Sequence, residues 1–181
     1  QEVNPFTEQQ IHLVQTFADQ AVIAIENVRL FKELEARNKD LGESLEQQTA
    51  TAEILKVISS SPTDVQPVFD AIASSAVRLC GGLYGAVYRF DGKLVHFAAH
   101  HGWSREAFEL HSRQYPVAPR GLTGTAVLDR TVVHAPDVMN DTRSANPQLA
   151  ATLGYRSFLG VPMLRDGEPI GVIAVFRAEP G

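Results

Sequence analysis

No proline lies between Pro5 and Pro62. That gap constrains the chain more than any other feature, because proline is the residue that most sharply ends a helix. Its start is well marked: Thr7 and Gln10 form a capping box, and Phe6 and Ile11 are spaced for a hydrophobic staple across it. Apolar residues then recur at Ile11, Val14, Ala18, Ala21, Ile25 and Val28, which places them on one helical stripe. The stripe slips phase by one residue and resumes at Phe31, Leu34, Asn38, Leu41, Leu45, Gln48, Ala52 and Leu55. These are the a and d positions of a coiled coil, with Asn38 at a and Gln48 at d; a buried Asn at a weakens the seam and fixes its register. Glu33, Glu35, Glu43 and Glu46 keep the flanks polar, and Gly42 weakens the helix locally by roughly 1 kcal/mol relative to Ala. One helix over about residues 8–58 would be about 75 Å long at 1.5 Å per residue, beyond the diameter of a domain this size. It either folds back on its own domain or finds a partner. The seam favours a parallel homodimer.

Composition narrows the function classes. The 181 residues carry 16 Lys plus Arg against 21 Asp plus Glu, a net charge of -5, and 44% are hydrophobic. This is the balance of a folded chain, and without a basic run it offers no footprint for nucleic acid. The longest apolar runs, 21–25 and 172–176, fall far short of the ~18 residues that span a bilayer. The single cysteine, Cys80, excludes an internal disulfide framework and a multi-cysteine zinc site. With Gln1 first and no signal-peptide pattern, the expectation is a piece of a longer cytoplasmic protein.

Beyond the rod, residues 59–62 (Ser-Ser-Ser-Pro) break the helix, and Thr63 with Gln66, or Asp64, caps a second one. Its expected apolar stripe is Val68, Ile72, Ala76 and Leu79, and Gly81-Gly82 ends it. Strands are expected at 83–90 and 93–100 around a two-residue Asp91-Gly92 turn with positive φ at both positions. Short helices at 105–113, 123–128 and 148–153 alternate with a breaker-rich loop at 115–124, a strand at 131–135 and a polar loop at 140–147. A second hairpin joins 156–164 to 169–177 around Arg165-Asp166-Gly167-Glu168. Leu159, Val161 and Met163 share one face of its first strand, and Ile170, Val172, Ala174 and Phe176 one face of its second. Hairpin-joined strands make an antiparallel, α+β sheet, and one so apolar needs more cover than the helix at 65–79 supplies.

Several of these words, in this order, resemble a GAF domain, the small-molecule sensor module of histidine kinases, cyclases and phosphodiesterases. They are Arg-Leu-Cys-Gly-Gly (78–82), Tyr-Arg-Phe-Asp-Gly-Lys-Leu (88–94), Arg-Gly-Leu-Thr-Gly-Thr-Ala-Val (120–127) and Thr-Val-Val-His-Ala-Pro-Asp-Val (131–138). The most specific are Arg-Ser-Phe-Leu-Gly-Val-Pro-Met-Leu (156–164) and Gly-Glu-Pro-Ile-Gly-Val-Ile-Ala-Val (167–175). The resemblance implies a profilin-like or PAS-like fold with about six antiparallel strands, helices and a dimer contact on one face, and a pocket on the other closed by loops between residues 100 and 155. Residues 1–32 look like the terminal helix of a preceding GAF domain, 33–62 like a coiled-coil linker, and 63–181 like a GAF domain without its last helix. The parent would be similar to a bacterial tandem-GAF sensor histidine kinase. Specialised branches do not fit. The Asn38-Lys39 pair, which matches the start of the cyclic-nucleotide-binding motif, lies in the linker, Cys80 is misplaced for a bilin, and a methionine-sulfoxide reductase of this fold needs several cysteines. The cofactor is therefore unknown, with no sign of bilin, haem or cyclic nucleotide.

Candidate pocket residues are His100, Trp103, Tyr115, Thr123, Asp137, Arg156 and Phe158. His100-His101-Gly102-Trp103 offers ligand or stacking groups, or is simply a polar strand end beside a packed Trp, since adjacent strand residues face opposite ways. Tyr115, Arg156 and Phe158 are pocket-wall positions by the resemblance alone. The loop Arg120-Gly121-Leu122-Thr123-Gly124 either holds an anion on exposed N–H groups or is a backbone turn capping a helix. Asp137, Asn140, Asp141 and Arg143 line a pocket mouth or solvate a loop. His96, His100, His111 and His134 lack metal or haem spacing, and Cys80 reads as a buried apolar residue. The expectation is a non-enzymatic sensor that binds a small molecule, or relays a signal, and couples through the dimeric linker to an output domain of the same parent. The alternative is a ligand-free dimerisation scaffold.

Overall fold

The computed structural model describes residues 5–61 and 63–181, in two units, Gln1–Gln48 and Thr49–Gly181. Pro62, the expected helix breaker, lies outside the described residues, as do residues 1–4 of the proposed terminal-helix segment.

Helix α1 runs over Glu8–Ser60, 53 residues without a break. The capping box forms as expected: Thr7 N donates to Gln10 Oε1 at 2.9 Å, and Gln10 N donates to Thr7 Oγ1 at 3.3 Å. In the first unit the apolar side chains of α1 face solvent. Its flanks carry i,i+4 ion pairs such as Arg37–Glu33 at 2.9 Å, each worth only a few tenths of a kcal/mol at such exposure. Within the second unit the last turns of α1 present two stripes. Ala50 is buried, with Ile54 and Val57 half-buried, whereas Ala52 and Leu55 of the expected seam remain exposed. Glu53 accepts from Arg78 Nη2 at 2.7 Å, tying these turns to the next helix.

That helix, α2, spans Gln66–Cys80, and Asp64 Oδ1 accepts from Gln66 N at 2.9 Å. Its buried face matches the expected stripe only in part. Phe69, Ile72 and Ala73 pack on the sheet, while Leu79 is 41% exposed. The cause is a close approach: a Cβ at Gly85 would lie 2.5 Å from the Ala73 carbonyl oxygen. Contact at that range selects the smallest ridge of the helix.

Five strands follow, with three helices between them: β1 Tyr84–Phe90, β2 Val95–His101, α3 Arg105–Ser112, α4 Gly121–Asp129, β3 Val133–Ala135, α5 Pro147–Leu153, β4 Ser157–Arg165 and β5 Glu168–Arg177. The sheet order is β2-β1-β5-β4-β3, with every pairing antiparallel. The architecture is the expected α+β sheet with flanking helices. Where a sixth strand would extend the edge, Val117 makes one bridge to Val95, with N–O distances of 2.8 and 3.1 Å. Pro116 and Pro119 flank it, and neither has an N–H to continue a ladder.

The two Asp-Gly turns differ. Asp166 and Gly167 both adopt positive φ (55° and 81°), the two-residue hairpin. At Asp91-Gly92 only Gly92 does, contrary to expectation; Asp91 Oδ1 instead accepts from Lys93 N at 2.9 Å and Leu94 N at 2.7 Å, widening the turn to four residues. The side chain supplies the closure that the backbone otherwise would.

The faces of the sheet are unequal. Val87 and Ala99 meet α2, while Leu159 and Met163 on the same side are only half-buried and Val161 is 39% exposed. The opposite face, with Ala86, Tyr88, Phe158, Val172, Ala174 and Phe176, is sealed by the helices and loops that follow β2. A Gly85→Ala variant should lose about 1–3 kcal/mol of stability, because the obstructing atom is backbone and cannot rotate away. Urea denaturation checks this; an unchanged midpoint would contradict the close helix–sheet contact.

Candidate functional site

Strand alternation sends Ala86 and Tyr88 of β1 toward the sealed face. On β2 the register shifts between the pairs Val87–Ala99 and Tyr88–Phe97, leaving Ala98 as an extra residue. Ala98 and Ala99 both face α2, so Phe97 and His100, three residues apart, reach the same side. Phe97 stacks on Trp103 with ring centroids 5.5 Å apart and planes at 19°. Trp103 lies 4.4 Å from the His111 ring, which α3 delivers on the same face as Ala107 and Phe108.

His111 is 5% exposed, and its Nε2 is 2.8 Å from the Tyr88 hydroxyl. Burial pushes its pKa down to about 4, with His100 a lesser cause, so the imidazole is neutral at pH 7. Burial also raises Tyr88 well above its ordinary value and Tyr115 up to about 12. Among the described residues, three buried side-chain nitrogens have no hydrogen-bond partner: His111 Nδ1, Trp103 Nε1 and His100 Nδ1.

Beside this cluster lies a cavity of about 80 Å³. Its floor is Tyr88, Phe158 and Phe176 of the sheet. His111, Gln114 and Tyr115 form one wall, and Arg120, Gly121, Leu122 and Thr123 at the start of α4 another. Ser144, Ala145, Asn146, Leu149 and Tyr155 complete the lining of this partly open site. The Tyr115 hydroxyl interacts with those of Tyr88 and Thr123, and the Arg120 charge favours its ionised form. A larger groove of about 330 Å³ lies at the ends of β4 and β5, where Cys80 and Leu159 meet His134 and Arg177. It gathers no comparable set of inward polar groups.

Of the expected pocket residues, Tyr115, Thr123 and Phe158 line the cavity. Trp103 and His100 stand outside it, in the aromatic cluster behind His111. Asp137 and Arg156 do not line it either: they pair with each other, Nη2 to Oδ2 at 2.6 Å and Nε to Oδ1 at 3.0 Å, and the pair holds the Asp137 carboxyl below the usual range. Asp137 also accepts from Met139 N and Asn140 Nδ2, and Arg143 pairs with Asp141. These polar residues fold their loop. The Gly121–Gly124 spacing is not a phosphate loop, since α4 already includes both glycines and a Cβ at Gly124 would meet the Pro119 carbonyl carbon at 2.5 Å. Sequence reasoning did not select Tyr88, His111 or Arg120 for the cavity. The signals were available: Tyr88 continues the inward alternation of Ala86, and His111 follows Ala107 and Phe108 at helical spacing.

Cys80 is partly exposed and remote from the cavity lining. Among the described residues no group of three or more His, Cys, Asp or Glu gathers to hold a metal, and no helix is long and apolar enough to cross a membrane. The arrangement can hold a small ligand by shape, hydroxyl and amide contacts, and one guanidinium.

Residues 62–181 match the family model described as GAF domain. Among solved structures, a GAF domain of a phosphoenolpyruvate-protein phosphotransferase from Coxiella burnetii superposes with TM-score 0.61 at 14% identity, over 75% of this chain and 79% of that one. Free methionine-R-sulfoxide reductase from Neisseria meningitidis, in complex with its substrate, gives 0.57 at 19% identity, over 76% of each chain. A domain assigned to a two-component sensor histidine kinase of Sinorhizobium meliloti gives 0.52 at 15% identity, over 66% of this chain and 76% of that one. At these identities the likeness is one of fold. No curated protein matches the sequence.

The folded His111 stays neutral until pH falls to about 4, whereas the unfolded chain takes up that proton near 6.5. Unfolding therefore binds a proton in between, and stability is full above about 6.5 and declines as pH falls toward 4. At ~1.36 kcal/mol per unit the loss from this group approaches about 3 kcal/mol. Denaturation at pH 7 and pH 4.5 should show a steeper decline for the native chain than for His111→Phe; equal declines would contradict the assignment.

Proposed function

Because the chain belongs to the GAF domain family, we propose that it is the regulatory sensor module of a signalling protein. Its cavity binds a small molecule, and α1 pairs with a second copy to carry the result to an output domain of the same parent chain. Residues 1–32 serve as the terminal helix of a preceding GAF domain and 33–62 as the linker of a cytoplasmic dimer. The observation that carries this reading is the small cavity itself, lined by hydroxyl- and amide-bearing residues and by Arg120 over an aromatic floor. A pure scaffold has no need to keep such groups around an unfilled space, since each could be replaced by packed apolar side chains. The work of the site is binding. Cys80 lies outside it, and its one buried imidazole is already engaged by Tyr88.

The rod supports the second half of the proposal. Phe31, Leu34, Leu41, Leu45 and Leu55 are 56–68% exposed and share one seam, an apolar stripe that a second helix in register would cover. Asn38 and Gln48 interrupt it. A seam weakened at two layers holds two packings close in energy, and a ligand shifts their balance only by its different affinity for each.

Cysteines at Leu41 or Leu45 should cross-link like chains, and Leu41→Asp should convert a dimer to a monomer in sedimentation at about 10 μM; a native chain that is monomeric at high concentration would sink the pairing. Independently, a metabolite that binds the cavity should raise stability by about 2.7 kcal/mol at one hundred times its dissociation constant. A thermal-shift panel with no specific stabilisation would favour the scaffold.

A further inference from the structure

The space inside the lining is small, although it is partly open to solvent. An apolar cavity of about 150 Å³ accommodates benzene, so 80 Å³ corresponds to about three to five non-hydrogen atoms. A nucleotide, a bilin or a haem does not fit that space.

Its electrostatics are one-sided. Among the described residues Arg120 is the only charged one in the lining, which includes no carboxylate. Nearby arginines are spoken for: Arg130 pairs with Glu168, Arg143 with Asp141 and Arg156 with Asp137. Among the described residues Arg120 has no carboxylate within ion-pair distance. The same wall holds the first turn of α4, whose cap residue, Arg120, supplies no side-chain acceptor for its N–H groups. The start of α5 is different, because Asn146 Oδ1 already accepts from Leu149 N at 3.0 Å. Opposite this polar wall, Phe158 and Phe176 present apolar surface. The lining also includes His111, whose buried ring is held by the Tyr88 hydroxyl at 2.8 Å.

We propose that the cavity takes a short-chain monocarboxylate of one to three carbons, its carboxylate held by Arg120 and the Tyr115 and Thr123 hydroxyls and its alkyl end against Phe158 and Phe176. This rests on the reading of the cavity as a ligand site and adds the charge and size of the ligand. A single guanidinium favours one negative charge, and a fork of N–H donors matches a planar carboxylate. A phosphate dianion would fill the space with no alkyl end to cover the aromatic floor, leaving polar oxygens against it without donors.

The test compares isosteres that differ in charge. Formate, acetate and propionate, with acetamide and propionamide as neutral matches, are titrated into the full chain at constant ionic strength. Binding is followed by calorimetry and by the backbone amide resonances of residues 121–123. The expected result is at least tenfold tighter binding of acetate or propionate than of the matching amide, with shifts at those amides, and at least a tenfold loss in Arg120→Met. Arg120 is exposed, so this variant should keep its fold, which circular dichroism verifies. Equal affinity for amide and acid, or binding indifferent to Arg120→Met, would overturn the anion assignment and leave the cavity as a site for a neutral ligand. No binding by any of the five probes would overturn the carboxylate assignment and remove the main support for a ligand site of this size.

Discussion

The hydrogen bond between Tyr88 and His111, 2.8 Å long and buried, is the joint on which the sealed face depends. It ties an inner strand of the sheet to α3, the first element to cross that face. Each group alone would be an unsatisfied polar atom in an apolar core, at a cost of about 1–3 kcal/mol. Together they fix the height of α3 over the sheet, and the chain leaving α3 then carries Gln114, Tyr115 and Arg120 around the rim of the cavity. Trp103 and Phe97 pack against the same imidazole, so the joint is dry as well as bonded.

The two faces of the sheet solve different packing problems. On the α2 side, Gly85, Ala73 and Ala99 bring helix and sheet into near-backbone contact, leaving no room for a pocket. On the other side large rings hold the covering elements away. Interdigitated aromatics fill most of the gap, but rings are rigid and cannot collapse into every remaining volume. The small cavity is what remains, bounded by the start of α4 and by the loop that Asp137 and Arg156 pin in place. That ion pair is partly solvated, with side chains 43% and 21% exposed, so its importance is geometric more than energetic.

Helix α1 shows how one segment serves two surfaces. Ala50, Ile54 and Val57 face the domain, at the 4-3 spacing that keeps them on one line. Ala52 and Leu55, on a different line of the same turns, stay exposed. A rotation of these turns that moved the inner line would move the outer one with it, because both lie on one helix.

Much of this was written in the primary structure. The capping box at Thr7 and Gln10, the unbroken rod, the helix end at Gly81 and the Asp166-Gly167 hairpin follow from local rules, because each rests on residues within one turn of each other. The order of elements gave the α+β antiparallel class for the same reason. Local rules failed where a distant partner decided. Gly85 chose the ridge of α2, and the bulge at Ala98 put Phe97 and His100 on one face; at Asp91 a competing local closure by the carboxylate won instead. Tyr115, Thr123 and Phe158 could be named beforehand, whereas Arg156 and Asp137 turned to each other and His111 came in from an unmarked helix. The sequence by itself determined which segments are helix and strand and that the rod carries an apolar seam. Only the tertiary structure decided which side chains share the cavity, because that depends on how far three covering elements are held from the sheet, a distance set by ring volumes and one buried hydrogen bond between residues 23 apart in the chain.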